Sequence, residues 1–322
     1  MRPEDLRGSI PAAILPMGPS LEPDFAAYAR YLEWLIGEGA IALAINMDTG
    51  EGPQLTEAER RQAAEVAVGV SRGRRPILAG LMGSTTAAAV ATAKMYRAAG
   101  VDGLVVFPNA AFRNEPLDPD IPYDFHRALA DEAGLPLVLF QLAPVFGGVL
   151  FTREVLLRLI EIPLVVAIKE ASFDAARFAR TKDILAEGVR PIILLTGNDR
   201  FVTESILLGA QGALLGFASV GCRLVAAMLR HFTGGDYAQG VALRGQLQGL
   251  ADFLYRDPVL DYRARCKAAL AHLGVLRPDQ IYVRPPLQTV RGDEFAEIGQ
   301  ALARAQMRAA ERAPTEVASV PR

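Results

Sequence analysis

Apolar residues along this chain fall into two alternating rhythms. Eight short unbroken runs are "IPAAIL" (10–15), "IALAIN" (41–46), "PILAG" (76–80), "GLVVF" (103–107), "PLVLFQ" (136–141), "LVVAIK" (164–169), "PIILLT" (191–196) and "GALLG" (212–216). They read as strands buried on both faces, as in a parallel sheet covered by helices. Between them lie longer segments such as "DFAAYARYLEWLIGEG" and "FDAARFARTKDILAEG", with apolar residues at helical spacing. Several of these close on glycine, which suits helix C-termini. Seven crossover helices thus join eight strands, and an eighth helix is expected over 219–232. Right-handed crossovers wind such a chain into a (β/α)8 TIM barrel, an α/β fold. A doubly wound open sheet is the competing arrangement; the count of eight and the evenly apolar strands favour the barrel.

The barrel is expected to occupy residues 1–235. Three more helical patterns follow, in "GGDYAQGVALRGQLQGLADFLY", "DYRARCKAALAHLGVL" and "EFAEIGQALARAQMRAAERA". They predict a C-terminal three-helix appendage over 236–322, frayed at "APTEVASVPR".

Composition narrows the function classes. The chain has 322 residues, 51% hydrophobic and 22% charged, with a formal net charge of −2. That balance leaves no basic face for nucleic acid. No apolar stretch reaches membrane-spanning length without Gly, Pro or a charge. "MRPEDLRGSI" has no apolar signal region, and Cys222 and Cys266 lack metal-ligand spacing. The expectation is a cytoplasmic enzyme with reduced thiols, a small-molecule substrate, and no nucleic-acid or membrane partner.

In a β/α barrel the active site lies at the C-terminal strand ends. The three histidines, His126, His231 and His272, all fall on predicted helices, and no cluster of His, Cys or carboxylates marks a metal site at the mouth. No metal and no cofactor is expected. No phosphate-binding or dinucleotide loop appears where it could work. The distinctive residue is Lys169, at the end of the sixth run. Lysine is almost never fully buried without a reason. An amine in an apolar barrel mouth loses hydration, and its neutral form can attack a carbonyl. The other reading of Lys169 is a structural lysine paired with a carboxylate such as Glu170.

"GSIPAAILPM", "TGEGPQLTEAER", "VAIKEAS", "LLTGND" and "YRARCKAALAHLGVLRPDQIYVRPPL" occur in this order along nearly the whole chain. Together they resemble the dihydrodipicolinate synthase/N-acetylneuraminate lyase family. The resemblance implies a metal-independent barrel that forms a Schiff base between a 2-oxo acid, usually pyruvate, and the lysine ending strand 6, here Lys169. It also implies a homo-oligomer, a tetramer built as a dimer of dimers. Thr49 and Gly50 could form a nest for the substrate carboxylate, as the resemblance implies, or an ordinary turn. Gly197 could line the pocket or belong to a plain helix start. Leu214 matches a position whose backbone faces the substrate, its side chain being expected in the barrel core. Glu51 reads as a structural partner within its loop.

The departures from the family pattern matter as much. Phe140 stands at the position of the strand 5 tyrosine that shuttles protons, and Val145 at that of an arginine near the site entrance. Asp48 replaces the first of two hydroxyl residues in the strand 2 motif. Asn109 and Ala110 stand where paired tyrosines are common. Phe140 can shape the pocket but has no hydroxyl to move a proton. Asp48 is therefore the expected replacement acid/base, with a self-capping Asx-turn as its alternative. Arg113 and Arg200 could contact anions in place of the missing arginine, or simply be solvated. The function expected is a Schiff-base lyase of aldolase or dehydratase type on a 2-oxo acid, and neither namesake activity. A catalytically silent barrel that binds a small carbonyl compound is the alternative. A phosphate-binding barrel isomerase is a third reading, but neither "TGNDR" nor "GFASVG" is a distinctive phosphate loop.

Overall fold

A computed structural model describes residues 1–113 and 116–307 of the chain. The expected frayed segment 313–322 lies outside them, as does the end of the third C-terminal helical pattern. Eight parallel strands form one sheet: β1 (Ser9–Pro11), β2 (Leu43–Ile45), β3 (Ile77–Leu81), β4 (Gly103–Val106), β5 (Leu137–Leu142), β6 (Val165–Ala171), β7 (Ile193–Thr196) and β8 (Gly212–Leu215). Their order is β1-β8-β7-β6-β5-β4-β3-β2. A parallel bridge between Ala12 and Ala44 brings β1 to β2, and the Ala13 N–H donates to the Ala44 carbonyl at 2.8 Å. The sheet therefore closes into the barrel, and the open-sheet alternative falls away.

Helices α1 (Phe25–Gly37), α2 (Glu57–Ser71), α3 (Thr86–Ala98), α4 (Asp120–Ala133), α5 (Arg153–Leu159), α6 (Ala175–Ala186) and α7 (Val202–Leu207) connect successive strands, and α8 (Ala218–Thr233) follows β8. Side-chain alternation divides the core in two. Residues such as Ile10, Leu78, Val138, Ala167, Ile193 and Leu214 fill the barrel interior. Their neighbours, such as Leu43, Leu139, Ile168 and Leu194, pack outward against the helices. Among the described residues, no helix is long and apolar enough to cross a membrane.

β6 departs from expectation in a way that bears on the site. It does not end on Lys169 but continues through Ala171, pairing Glu170 with Gln141 and Ala171 with Leu142 of β5. By the alternation of a strand, Lys169 shares the inward face with Ala167 and Ala171. The lysine thus stands inside the barrel, one layer below the mouth.

Three more helices follow: α9 (Tyr237–Leu254), α10 (Tyr262–His272) and α11 (Gly292–Arg304). From Tyr262 to Leu270 every residue of α10 is buried, including Arg263, Arg265 and Lys267. Each of these cations meets a carboxylate: Arg263 meets Asp48, Arg265 meets Glu294 at 2.6 Å, and Lys267 meets Glu51. The Lys267–Glu51 pair is fully buried, and Glu51 also accepts the Arg284 N–H at 2.9 Å. Glu51 therefore serves the loop after β2 as a structural partner, and α10 is tied to that loop. Glu59 adds a second tie. It completes a capping box with Thr56 at the start of α2 and pairs with Arg284.

Candidate active site

A cavity of about 580 Å3 opens at the C-terminal mouth of the barrel. The strand ends line it, joined by the segment between α9 and α10. Lys169 lies at its inner end, 8% exposed. An added Cβ at Gly197 would come within 2.6 Å of Lys169 Cε, so β7 needs a glycine there for the lysine stem to pass. Lys169 Nζ lies 4.2 Å from the centroid of the Phe140 ring. Phe140 is the residue opposite Lys169 on β5, and its ring packs edge-on against Phe107 at 5.0 Å.

Burial pulls the Lys169 amine down to about 8, against the opposing charges of Asp199 and Asp48. The alternative pairing with Glu170 does not occur. Glu170 faces the other side of β6, where Asn198 Nδ2 donates to it at 2.9 Å and the Ser172 N–H donates at 3.2 Å. An amine with a lowered pKa in an apolar, enclosed mouth can act as a nucleophile near neutral pH.

The loop after β2 brings Asp48 and Thr49 to the cavity. The Asp48 carboxylate is engaged by the Arg263 guanidinium, and the Tyr262 hydroxyl donates to it at 3.3 Å. Arg263 Nε also donates to the Asp48 carbonyl at 2.8 Å. Asp48 was expected as a free acid/base or as the cap of its own loop. Both α10 side chains meet the same oxygen, Oδ2, and so anchor the carboxylate beside the cavity. Thr49 Oγ1 lies 3.3 Å from the Tyr262 hydroxyl.

Two expected pocket residues stand behind the lining. The Gly50 N–H is already donated to the Met47 carbonyl at 3.1 Å, so it does not complete an anion nest with Thr49. Leu214 is wholly buried in the interior layer of the barrel, so its side chain is core, as expected from the sequence. Phe140 and Gly197 do line the cavity. Arg200 lines its rim and stands 3.6 Å from Asp252, whereas Arg113 turns away to donate to the Gly147 carbonyl.

Among the lining residues not anticipated as site residues are four polar ones, Asp199, Tyr255, Tyr262 and Arg263. Asp199 lies three residues past the seventh run in "LLTGND", where a carboxylate near a strand end carried a signal that its place before a helix masked. Burial pushes its carboxyl up to about 6, opposed by the Phe217 N–H that donates to Oδ1 at 2.7 Å and by the charge of Lys169. Tyr255 and Tyr262 stack with centroids 4.7 Å apart and 17° between planes. The alternating cations of "YRARCK" held a second signal, since burying such a helix requires carboxylate partners elsewhere in the fold.

A parallel β/α barrel with an amine of lowered pKa in its C-terminal mouth has the form of a Schiff-base aldolase. The family comparison agrees: residues 5–305 match the dihydrodipicolinate synthetase family, and the chain belongs to it. Members of that family are lyases of the Schiff-base aldolase superfamily, and this protein is such a lyase. A 4-hydroxy-tetrahydrodipicolinate synthase of Nitrobacter hamburgensis is 30% identical over 298 residues, covering 91% of this chain and 97% of that protein. The corresponding synthase of Ruegeria pomeroyi is 30% identical over 297 residues, covering 92% and 97%. Among solved structures, the dihydrodipicolinate synthase of Thermotoga maritima superposes with a TM-score of 0.84 at 20% identity, covering 94% and 99% of the two chains. A chloride-inhibited Acinetobacter baumannii synthase complexed with pyruvate gives 0.81 at 24% identity, covering 94% and 99%. These structural likenesses bear on the fold.

Proposed function

We propose that the protein forms a Schiff base between Lys169 and a 2-oxo acid, and makes or breaks a carbon–carbon or carbon–oxygen bond of a substrate whose distal part is apolar or aromatic. The observation that carries this reading is the buried Lys169 amine, drawn down to about 8, at the inner end of a cavity walled by Phe107, Phe140, Phe146, Phe173 and Phe201. The attacking nitrogen needs its lone pair, and desolvation supplies it. The resulting iminium accepts the electrons of the bond that breaks.

The cavity favours an apolar distal group on physical grounds. At β5 the wall offers Phe140, Leu142 and Val145, with no hydrogen-bonding side chain. A second carboxylate or a chain of sugar hydroxyls buried there would lose water without replacement, at a cost of about 1–3 kcal/mol for each unpaired neutral group and more for a charge. Thr49, and Arg200 at the rim, are the groups placed to meet the carboxylate of the 2-oxo acid. The synthase activity named for the relatives, and sialic acid cleavage, therefore fit this pocket poorly. We place the protein in the cytoplasm, consistent with two buried free thiols, Cys222 and Cys266.

Turnover on a panel of aldols and 4-hydroxy-2-oxo acids tests this reading, with pyruvate or dehydrated product followed by mass spectrometry. Substrates with aryl or alkyl distal groups are expected to give the highest kcat/KM. Best turnover with dicarboxylates or polyhydroxylated sugar acids would contradict it. A panel that is bound and trapped but never turned over would favour the silent carbonyl-binding barrel.

A further inference from the structure

Schiff-base chemistry needs a group that moves protons at the reacting carbon's oxygen, and β5 offers the cavity only the apolar side chains of Phe140 and Leu142. A hydroxyl does reach the cavity from elsewhere. Tyr255 caps the C-terminal end of α9 and is 4% exposed, and its hydroxyl makes no well-formed hydrogen bond within the protein. Leaving a buried hydroxyl unpaired costs about 1–3 kcal/mol, so its retention at the wall of a binding cavity points to a partner that arrives with the ligand. The backbone makes room for it. An added Cβ at Gly216 would lie 2.2 Å from the Tyr255 hydroxyl and 3.1 Å from Thr49 Oγ1. The hydroxyl thus lies directly over the end of β8.

Asp199 is the neighbour that makes this hydroxyl useful. Its Oδ1 accepts the Phe217 N–H at 2.7 Å, and the carboxyl lies beside both Tyr255 and Lys169. Stacking on Tyr262 holds the Tyr255 ring, and Tyr262 is itself held by Thr49 and Asp48.

We propose that Tyr255, backed by Asp199, is the proton relay of the Schiff-base reaction, so that the C-terminal helices complete the active site. This rests on Lys169 being the Schiff-base lysine. The neutral amine adds to the substrate carbonyl, and its N–H proton moves to the former carbonyl oxygen to give the carbinolamine. The Tyr255 O–H then donates to the carbinolamine oxygen and takes the proton of Asp199. The nitrogen lone pair forms the C=N bond as the C–O bond breaks, and water leaves. An iminium cation and an Asp199 carboxylate result, so charge is conserved. Hydrolysis runs the same steps in reverse.

This step requires Lys169 neutral and Asp199 protonated together, a state of the pair that carries one shared proton. Its population is greatest between the two titrations, which belong to the pair rather than to either residue. The other titratable or charged groups around the pair are Asp48 with Arg263, Tyr255, Tyr262 and Cys266. Burial holds both tyrosines and Cys266 protonated well above neutrality.

The test is the pre-steady-state rate of imine formation with pyruvate, quenched with borohydride and read by mass spectrometry across pH. Wild type is expected to give a bell with limbs near 6 and 8. Tyr255→Phe is expected to form the same Lys169 adduct about 10²–10⁴-fold more slowly. Asp199→Asn is expected to lose the falling limb and to keep one rising limb, set by Lys169 alone, which should lie above the wild-type rising limb near 6 and below 8 because the charge favouring the ammonium is gone. Circular dichroism and thermal unfolding show whether each variant is folded; should Tyr255→Phe fail to fold, the pH profile of Asp199→Asn decides. Wild-type rates with an unchanged bell in both folded variants would overturn the relay and leave the Schiff base standing. No adduct in wild type with pyruvate or any other 2-oxo acid would overturn both.

Discussion

Lys169 is the residue on which the proposed chemistry turns, and it was legible from sequence because a lysine ending an apolar run is unusual and "VAIKEAS" resembles the family motif; position alone left a structural lysine equally open. What the sequence did not carry was its surroundings. Asp199, Tyr255, Tyr262 and Arg263 share its cavity from distant parts of the chain, and each has an ordinary local reading as a helix start, a core aromatic or a solvated cation. Asp48 shows the reverse. Its position after β2 suggested an acid/base, but Arg263 from a distant helix takes the carboxylate. Asp48→Asn is therefore expected to leave Lys169 trappable and to lower turnover far less than Tyr255→Phe. A loss as large as that of Tyr255→Phe, measured as kcat at saturating substrate, would return the acid/base role to Asp48. Lys169→Arg is expected to abolish the adduct, since a guanidinium stays protonated at any working pH.

At the scale of elements, the strands and helices followed from the change between unbroken apolar runs and helical periodicity, with boundaries off by a few residues. β6 overran its expected end because Glu170, outward on the strand, finds Asn198 and Ser172 and can be buried. The appendage was legible as three helices, yet nothing local showed that α10 and the loop after β2 form one unit. Lys267 and Glu51 make that unit, and removing one partner strands the other's charge in the core. Lys267→Met is expected to cost about 3–5 kcal/mol, the range for breaking a buried pair. Urea unfolding monitored by fluorescence measures it; a loss under about 1 kcal/mol would mean that water or another cation reaches Glu51. We read residues 1–235 as the barrel and 236–322 as an appendage the barrel needs. A chain ending at 235 is expected to lose imine formation even where it folds.

The whole molecule sets what the site can accept and how copies associate. Val145 is 83% exposed and Phe146 borders the cavity mouth, so an apolar rim stands open to a substrate tail or to a neighbouring copy. The loop "FPNAAF" (107–112) adds little to that surface, because Phe112 is buried against Phe125 and Phe151. We propose a homotetramer assembled as a dimer of dimers; light scattering at micromolar concentration is expected to show four chains, and a monomer would contradict it. The most direct measurement is to incubate the protein with pyruvate, reduce with borohydride, and map the modified peptide. The expected result is one reduced adduct per chain on Lys169, absent in Lys169→Arg. An adduct on another lysine, or none with any 2-oxo acid, would contradict the reading of this barrel as a Schiff-base enzyme built on Lys169.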